Sequence, residues 1–330
     1  MKHTLRFIIF WVFLSGLLSS CEKEDTVTNL KNDVIKKTVS PLVVGEKVEF
    51  AYAMGSLNGK LKSAQVIASI PGATGTGFEP FSWRTLNAVN ISSTVARDCI
   101  TKSEISSAVF IDTNASTLRY FYVIPEEARG KEISFQFSCD NQSGEQASFK
   151  LPSYKVAQMM MKKNITMVAT AAGARYFSIE DLKAYTLAEV QASNLSGKID
   201  FVYAYSPTIM VGTQSYTYAH AFVSANEGSY FPSGFTIPAA WTKNSTSMEK
   251  KLNVWDGQLA ASANMDVFVD DLDLQKQTFT NSLDYLLDIR ASGSVFMKTA
   301  DGKYTAYIYI NSVTNATSTA VIGIKRHTNQ

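Results

Sequence analysis

The chain of 330 residues reads as mainly β, an N-terminal antiparallel β-sandwich followed by a β-rich α+β domain. Three observations predict this. Short segments rich in β-branched and aromatic residues recur between turn clusters at intervals of about ten residues, the spacing of antiparallel sandwiches. Only the stretch Ser178 to Ser193 has helical character. The C-terminal segment spells a hairpin around Asp301-Gly302, a pair that supplies the positive φ angles tight hairpin turns require.

The N-terminus comes first. Lys2 and Arg6 precede an apolar run from Phe7 to Leu18, and Leu18-Ser19-Ser20 lead into Cys21. A membrane-spanning helix needs about 20 apolar residues, whereas a signal-peptide core needs roughly 7–15. These residues resemble the lipobox of bacterial lipoproteins, which implies that residues 1–20 are removed and that the Cys21 thiol is diacylated. Glu22, Glu24 and Asp25 around Lys23 resemble the export signal of Bacteroidetes lipoproteins, which implies an outer-membrane anchor facing the cell exterior. Residues 21–38 are polar without a sustained period and read as a tether.

Strands are expected from Val43 to Tyr52, then from Leu61 to Ile70, with Pro71 to Gly77 as a glycine-rich loop. SAVFIDT, LRYFYVIP, EISFQFSCD and QASFKLPSYKV follow as strands and fill residues 39–155. The pattern VGEKVEFAYAMGS, LKSAQVIASIPG and LRYFYVIPEEARGKEISFQFSCDNQSGEQASFKL resembles the immunoglobulin-like modules of Bacteroidetes surface proteins, without the Cys and Trp spacing of antibody domains. In residues 156–330, Ser178 with Asp181 fits an N-cap region and Thr186 with Glu189 fits a capping box, so the helix starts at one or the other. Ile199, Phe201, Tyr203 and Tyr205 alternate as a strand. Ser294 to Thr299, Tyr304 to Ile310 and Ser318 to Lys325 form a meander. The helix-to-KIDFVY step, IPAAWTKNST and GSVFMKTADGKY leading to GIKR resemble a domain that recurs in uncharacterised Bacteroidetes surface lipoproteins. That likeness implies an extracellular location and no chemistry.

Charge is balanced. Loss of residues 1–20 takes Lys2 and Arg6 from 31 basic residues and nothing from 29 acidic ones. A nucleic-acid partner would call for a basic patch, so none is expected. With Cys21 acylated, only Cys99 and Cys139 remain to pair in an oxidising envelope, which requires Cα atoms within about 7 Å.

Catalytic motifs are sparse. There is no G-x-S-x-G elbow, and Ser247-Met248-Glu249-Lys250 matches S-x-x-K without a K-T-G partner. GATGTG has the wrong spacing for a dinucleotide loop. His220, in SYTYAHAF, reads as one satisfied histidine in an aromatic strand, and no zinc set accompanies it. Asp266, Asp270, Asp271 and Asp273 cluster in NMDVFVDDLDL. Hard cations want several oxygen ligands, which makes Asp270, Asp271 and Asp273 the candidate metal ligands, against a solvated loop that lacks the EF-hand glycine. Trp241 and Trp255, with Tyr216 and Tyr218, are the candidate ligand-binding aromatics, because sugar rings stack on flat aromatic faces, although aromatics dominate cores too. No cofactor is expected. The reading is a surface lipoprotein for binding, adhesion or scaffolding, with a glycan or surface protein as partner. The alternative is a glycan hydrolase using a carboxylate pair.

Overall fold

The computed structural model describes residues 29–206, 208–216, 219–251, 253–261 and 266–329. The chain is mainly β, built from antiparallel sheets. In the first half two five-stranded sheets face each other. One runs in the order Leu30–Lys36, Lys47–Ser56, Ala115–Val123, Gly77–Leu86, Val89–Thr94. The other runs Gln146–Lys150, Phe135–Asn141, Leu61–Ala68, Ile105–Phe110, Ala96–Lys102.

Strict alternation explains the pairing of these faces. Val48, Phe50, Tyr52 and Met54 point inward while Lys47, Glu49, Ala51 and Ala53 point out. Phe50 meets Phe135 at 4.8 Å between ring centroids, and Tyr120 meets Phe137 edge-on at 5.8 Å. Such tilted aromatic pairs contribute about 0.5–1.5 kcal/mol beyond their burial.

The second half holds two more five-stranded sheets. The third is Met160–Val168, Thr319–Thr328, Tyr304–Thr314, Ser294–Lys298, Ser247–Lys251, and contains the expected meander. The fourth is Lys183–Tyr185, Tyr176–Ser178, Phe201–Tyr205, His220–Ser224, Tyr285–Leu287. Phe177, Phe201 and Phe222 of the fourth sheet pack on Met297, Ile308 and Ile324 of the third. The far side of the fourth sheet, Val202, Ala204 and Val223, is covered by helix α1 (Leu187–Ala192) through Val190, and by Phe231 and Ile237. The far side of the third, Phe296, Tyr307 and Tyr309, is covered by Leu259, Val269 and Leu274, the last from helix α2 (Asp271–Lys276). Both sheets are therefore buried on both faces, which is why FVYAY and YTAYIYI are unbroken apolar runs.

Val43 joins the cluster over the third sheet and so ties the halves together. Lys163 pairs with Glu46 at 2.9 Å, and Arg129 Nη1 donates to the Met159 carbonyl at 2.8 Å.

Several expectations need correction. Leu30–Lys36, placed in the tether, is an edge strand whose Leu30 and Val34 are buried. Its alternation is masked because the inward position between them is Asn32, which donates to the Tyr52 hydroxyl at 2.9 Å. Ser178 does not start a helix. It ends a strand, and its hydroxyl accepts from the Asp181 N–H inside a turn closed by Leu182 at φ 51°. The helix begins after Thr186, where the full capping box forms. In the Asp301-Gly302 turn only Gly302 has positive φ (72°), while Asp301 accepts from Thr299 Oγ1 and the Lys303 N–H.

The strands from Gly77 to Lys102 escaped the sequence reading, since Trp83 to Thr94 is exposed or half-buried on both faces and shows no apolar period. Cys99 and Cys139 lie on strands three places apart in the second sheet. Three strand spacings of about 4.8 Å put them roughly 14 Å apart, beyond the reach of a disulfide. Both are free thiols.

Lys325 and Asp256 form an ion pair at 2.6 Å with both side chains at 0% exposure. Burial lowers the Lys325 pKa, and Asp256 opposes that fall. Asp256 also accepts from the N–H groups of Gln258, Leu259 and Val269. Breaking a buried pair costs about 3–5 kcal/mol. Asp256→Ala should destabilise the chain by that order, and more than Lys325→Met, which leaves the carboxylate its three backbone donors. Equal losses in denaturant unfolding would contradict this account.

Candidate functional site

The acidic cluster is consumed by the backbone. The Asp270 side chain caps helix α2, accepting from the Leu272 and Asp273 N–H groups, and Asp273 returns the contact to the Asp270 N–H at 3.0 Å. Asp271 accepts from the Gln158 and Met159 N–H groups at 2.7 and 2.8 Å and faces His327 Nδ1 at 3.3 Å. These carboxylates form a helix capping box and a brace onto the Gln158-Met159 segment within the second half, in place of the cation site expected. Among the described residues no group of three His, Cys, Asp or Glu side chains could hold a metal ion.

The aromatic candidates do not converge. Trp241 packs on the far side of the fourth sheet, 5.2 Å from Tyr176 in a T-shaped contact. Trp255 packs with the cluster over the third sheet. Tyr216 pairs with Ile209 in a short ribbon, and Tyr218 lies outside the described residues, as does Cys21.

Trp83 lines an open surface. A shallow trough of about 580 Å³ crosses four strands of the first sheet, between Lys31 and Asp33 on the edge strand and Trp83 and Arg84 on the inner one. Its floor carries small outward residues, Ala53, Gly55, Ala115 and Thr117, and the register aligns Ala53 with Thr117 and Gly55 with Ala115. The Arg119 guanidinium sits 4.0 Å from the centre of the Trp83 ring, and Trp83 Nε1 donates to Glu79 at 2.9 Å. The ring is thus fixed at the trough's side. Alanine and glycine are poor strand formers, so their repetition at outward positions of KVEFAYAMGS was the available signal. Trp83 was missed because its strand was missed.

His220 and Asp200 are among the buried titratable groups of the second half. His220 is buried; its Nδ1 meets the Tyr203 hydroxyl at 2.6 Å and its Nε2 meets Asn315 Oδ1 at 2.9 Å. That pairing assigns the proton to Nε2 and makes the Tyr203 hydroxyl the donor to Nδ1. Burial lowers the His220 pKa, which keeps the ring neutral. It is the satisfied histidine expected of an aromatic strand.

Asp200 is 5% exposed and borders a cavity of about 90 Å³ with Glu180, Lys198, Asn244, Asp301 and Tyr304. Its Oδ2 accepts from the Ile179 N–H at 2.7 Å. Burial pushes its carboxyl up to about 7, the Ile179 N–H opposes the rise, and Asp301, Glu180 and Asp181 add to it.

The fold defined here is a β-sandwich joined through a shared apolar cluster to a pair of doubly covered sheets. Residues 27–156 match a domain of unknown function, DUF4466, and residues 157–329 match a second, DUF8576. A crystal structure of a DUF4466 family protein from Parabacteroides merdae ATCC 43184 is 37% identical over 92% of this chain and 100% of its own, with TM-score 0.83. The chain belongs to the DUF4466 family. A family 123 glycoside hydrolase from Clostridium perfringens is 10% identical over 39% of this chain and 27% of its own, with TM-score 0.26. The major pilin subunit BcpA of Bacillus cereus is 7% identical over 89% of this chain and 66% of its own, with TM-score 0.28. Neither carries an argument about fold or function. No curated protein matches the chain.

Asp200 sets a pH dependence. An unfolded carboxyl titrates near ~3.9, so between about pH 4 and 7 the folded chain holds a proton that the unfolded chain has lost, and stability falls as pH rises through that window. Asp200→Asn should melt with wild type at pH 3, below both titrations, and several degrees above it at pH 8. Parallel melting curves across that range would show that Asp200 is not protonated by burial.

Proposed function

We propose that this protein is a surface-anchored lipoprotein whose N-terminal sandwich captures glycan along the Trp83 trough. One observation carries the reading. The trough is an open surface of ligand size, about 580 Å³, with an immobilised indole at its side and alanine and glycine on its floor. Ligand sites commonly span about 300–1,000 Å³. Sugar rings present C–H faces to aromatic rings, and a small-residue floor lets them approach the sheet. Gly55 fits this use, because a Cβ there would meet nothing within 4 Å and so fills no packing need.

Anchoring rests on the N-terminal residues. Lys2 and Arg6, the apolar run Phe7 to Leu18, and Leu18-Ser19-Ser20-Cys21 form the lipobox pattern. Two acyl chains on Cys21 hold a protein stably to a membrane, each buried methylene contributing about 0.8 kcal/mol. Among the described residues no helix is long and apolar enough to cross a membrane. An outer-membrane position facing the cell exterior follows from the acidic residues after Cys21.

Paired-carboxylate hydrolysis is the competing reading, and Asp200 is where it would act, since a raised carboxyl pKa suits a general acid. The cavity there, about 90 Å³, has room for a few water molecules and none for a sugar ring. The trough itself has one carboxylate along it, Asp33, where a glycosidase needs two.

Gly55→Val should abolish retention on a glycan array while leaving the melting temperature near wild type, since surface changes stay within about 0.5 kcal/mol. Trp255→Ala should do the reverse, costing up to about 3–5 kcal/mol of stability. Full retention by Gly55→Val would remove the trough from consideration. Cys21→Ala should release the protein from the membrane fraction or leave it unprocessed. A variant that still sediments with outer membrane at the mature size would end the lipoprotein reading.

A further inference from the structure

We propose that the trough takes an acidic oligosaccharide, one bearing carboxylate or sulfate groups, a proposal that rests on the glycan-capture reading. The outer side of the first sheet and the trough upon it carry five cations, Lys31, Lys37, Lys47, Arg84 and Arg119, against three carboxylates, Asp33, Glu49 and Glu79, the last held by Trp83 Nε1 at 2.9 Å. The whole chain is nearly neutral, with a formal charge of +2, so the excess is local to this surface.

The pairing of these charges sharpens the point. Glu49 is shared by Lys37 at 2.8 Å and Arg119 at 3.3 Å. Asp33 accepts from the Val34 N–H at 2.8 Å. Lys31, Lys47 and Arg84 have no carboxylate within salt-bridge distance among the described residues. Lys31 and Arg84 border the trough from opposite sides, and Lys47 lies farther along the same sheet, 5.6 Å from the centre of the Phe121 ring.

A surface that recognised neutral sugar alone would need hydroxyl and amide partners along its floor. This floor is mostly Ala53, Gly55 and Ala115, with hydroxyls from Thr117, Ser82 and Ser116, and the charged groups at the rim are Lys31 and Arg84 beside Asp33. An extended anionic chain satisfies both conditions. A ring lies against Trp83 and the small residues, and its acidic groups meet Lys31 and Arg84. Exposed charge pairs are individually weak and screened by salt, so selectivity comes from several contacts together.

Binding of three oligosaccharide sets of equal length to the full chain tests this: a neutral hexose series, a hexuronate series and a sulfated series, at low and high salt. Wild type should bind one or both acidic series at least ten-fold more tightly than the neutral one at low salt, and lose that preference at high salt. Comparison of the hexuronate and sulfated arms identifies the acidic group. Lys31→Gln and Arg84→Gln should each weaken acidic binding up to about five-fold and leave neutral binding unchanged. Gly55→Val should abolish all of it.

Neutral and acidic series bound equally, both lost in Gly55→Val, would overturn the acidic preference and leave glycan capture standing. No binding by any series would overturn both. Acidic binding that survives Gly55→Val, or that a poly-glutamate peptide matches, would overturn the proposal as charge attraction without a site.

Discussion

The buried contact between Lys325 and Asp256 is the constraint on which the arrangement of the two halves depends. A lysine on the third sheet with no exposure requires a counter-charge, and Asp256 supplies it while gathering three backbone N–H groups. The Lys325 ammonium also donates to the Val269 carbonyl at 2.8 Å. Those bonds pin Leu259 and Val269 over Tyr307 and Tyr309, and Val43 of the sandwich enters the same cluster. Gln258, beside Asp256, reaches the Pro41 carbonyl at 3.2 Å. One ion pair thus fixes the layer that both halves share.

Burial is distributed unequally as a result. The third and fourth sheets are covered on both sides, so their side chains are largely committed to packing, and His220 is satisfied internally by Tyr203 and Asn315. The first sheet is covered on one side only. Its outward residues are free of packing demands, which permits alanine and glycine at positions where a sheet that served only stability would gain from β-branched or aromatic side chains. A ligand surface is least costly where the fold asks least of the side chains.

Asp200 is the exception within the covered half. A carboxyl held at 5% exposure with one backbone donor is held at the expense of its charge. It borders the turn Thr299 to Tyr304, where Asp301 already accepts two hydrogen bonds. Neutralising Asp200 avoids a second charge beside the first.

Local patterns in the sequence determined much of the fold. Alternation in KVEFAYAMGS, the capping box at Thr186 and Glu189, and the meander from Ser294 to Lys325 each involve neighbours close along the chain, so composition and spacing carry them. The strand Leu30–Lys36 and the strands from Gly77 to Lys102 were not legible, because an edge or a half-exposed ribbon is held by backbone hydrogen bonds that leave little apolar period. The candidate site was hidden for a related reason. Small residues on Lys47–Ser56 and Ala115–Val123, together with Trp83, acquire meaning only when strands distant in sequence are laid side by side. Tertiary structure likewise decided the fate of the residues that looked functional. Asp270, Asp271 and Asp273 met backbone N–H groups, and Trp241 and Trp255 went to separate clusters. Residue type sets what a side chain can do, and which partner it meets depends on contacts that only the folded chain brings together.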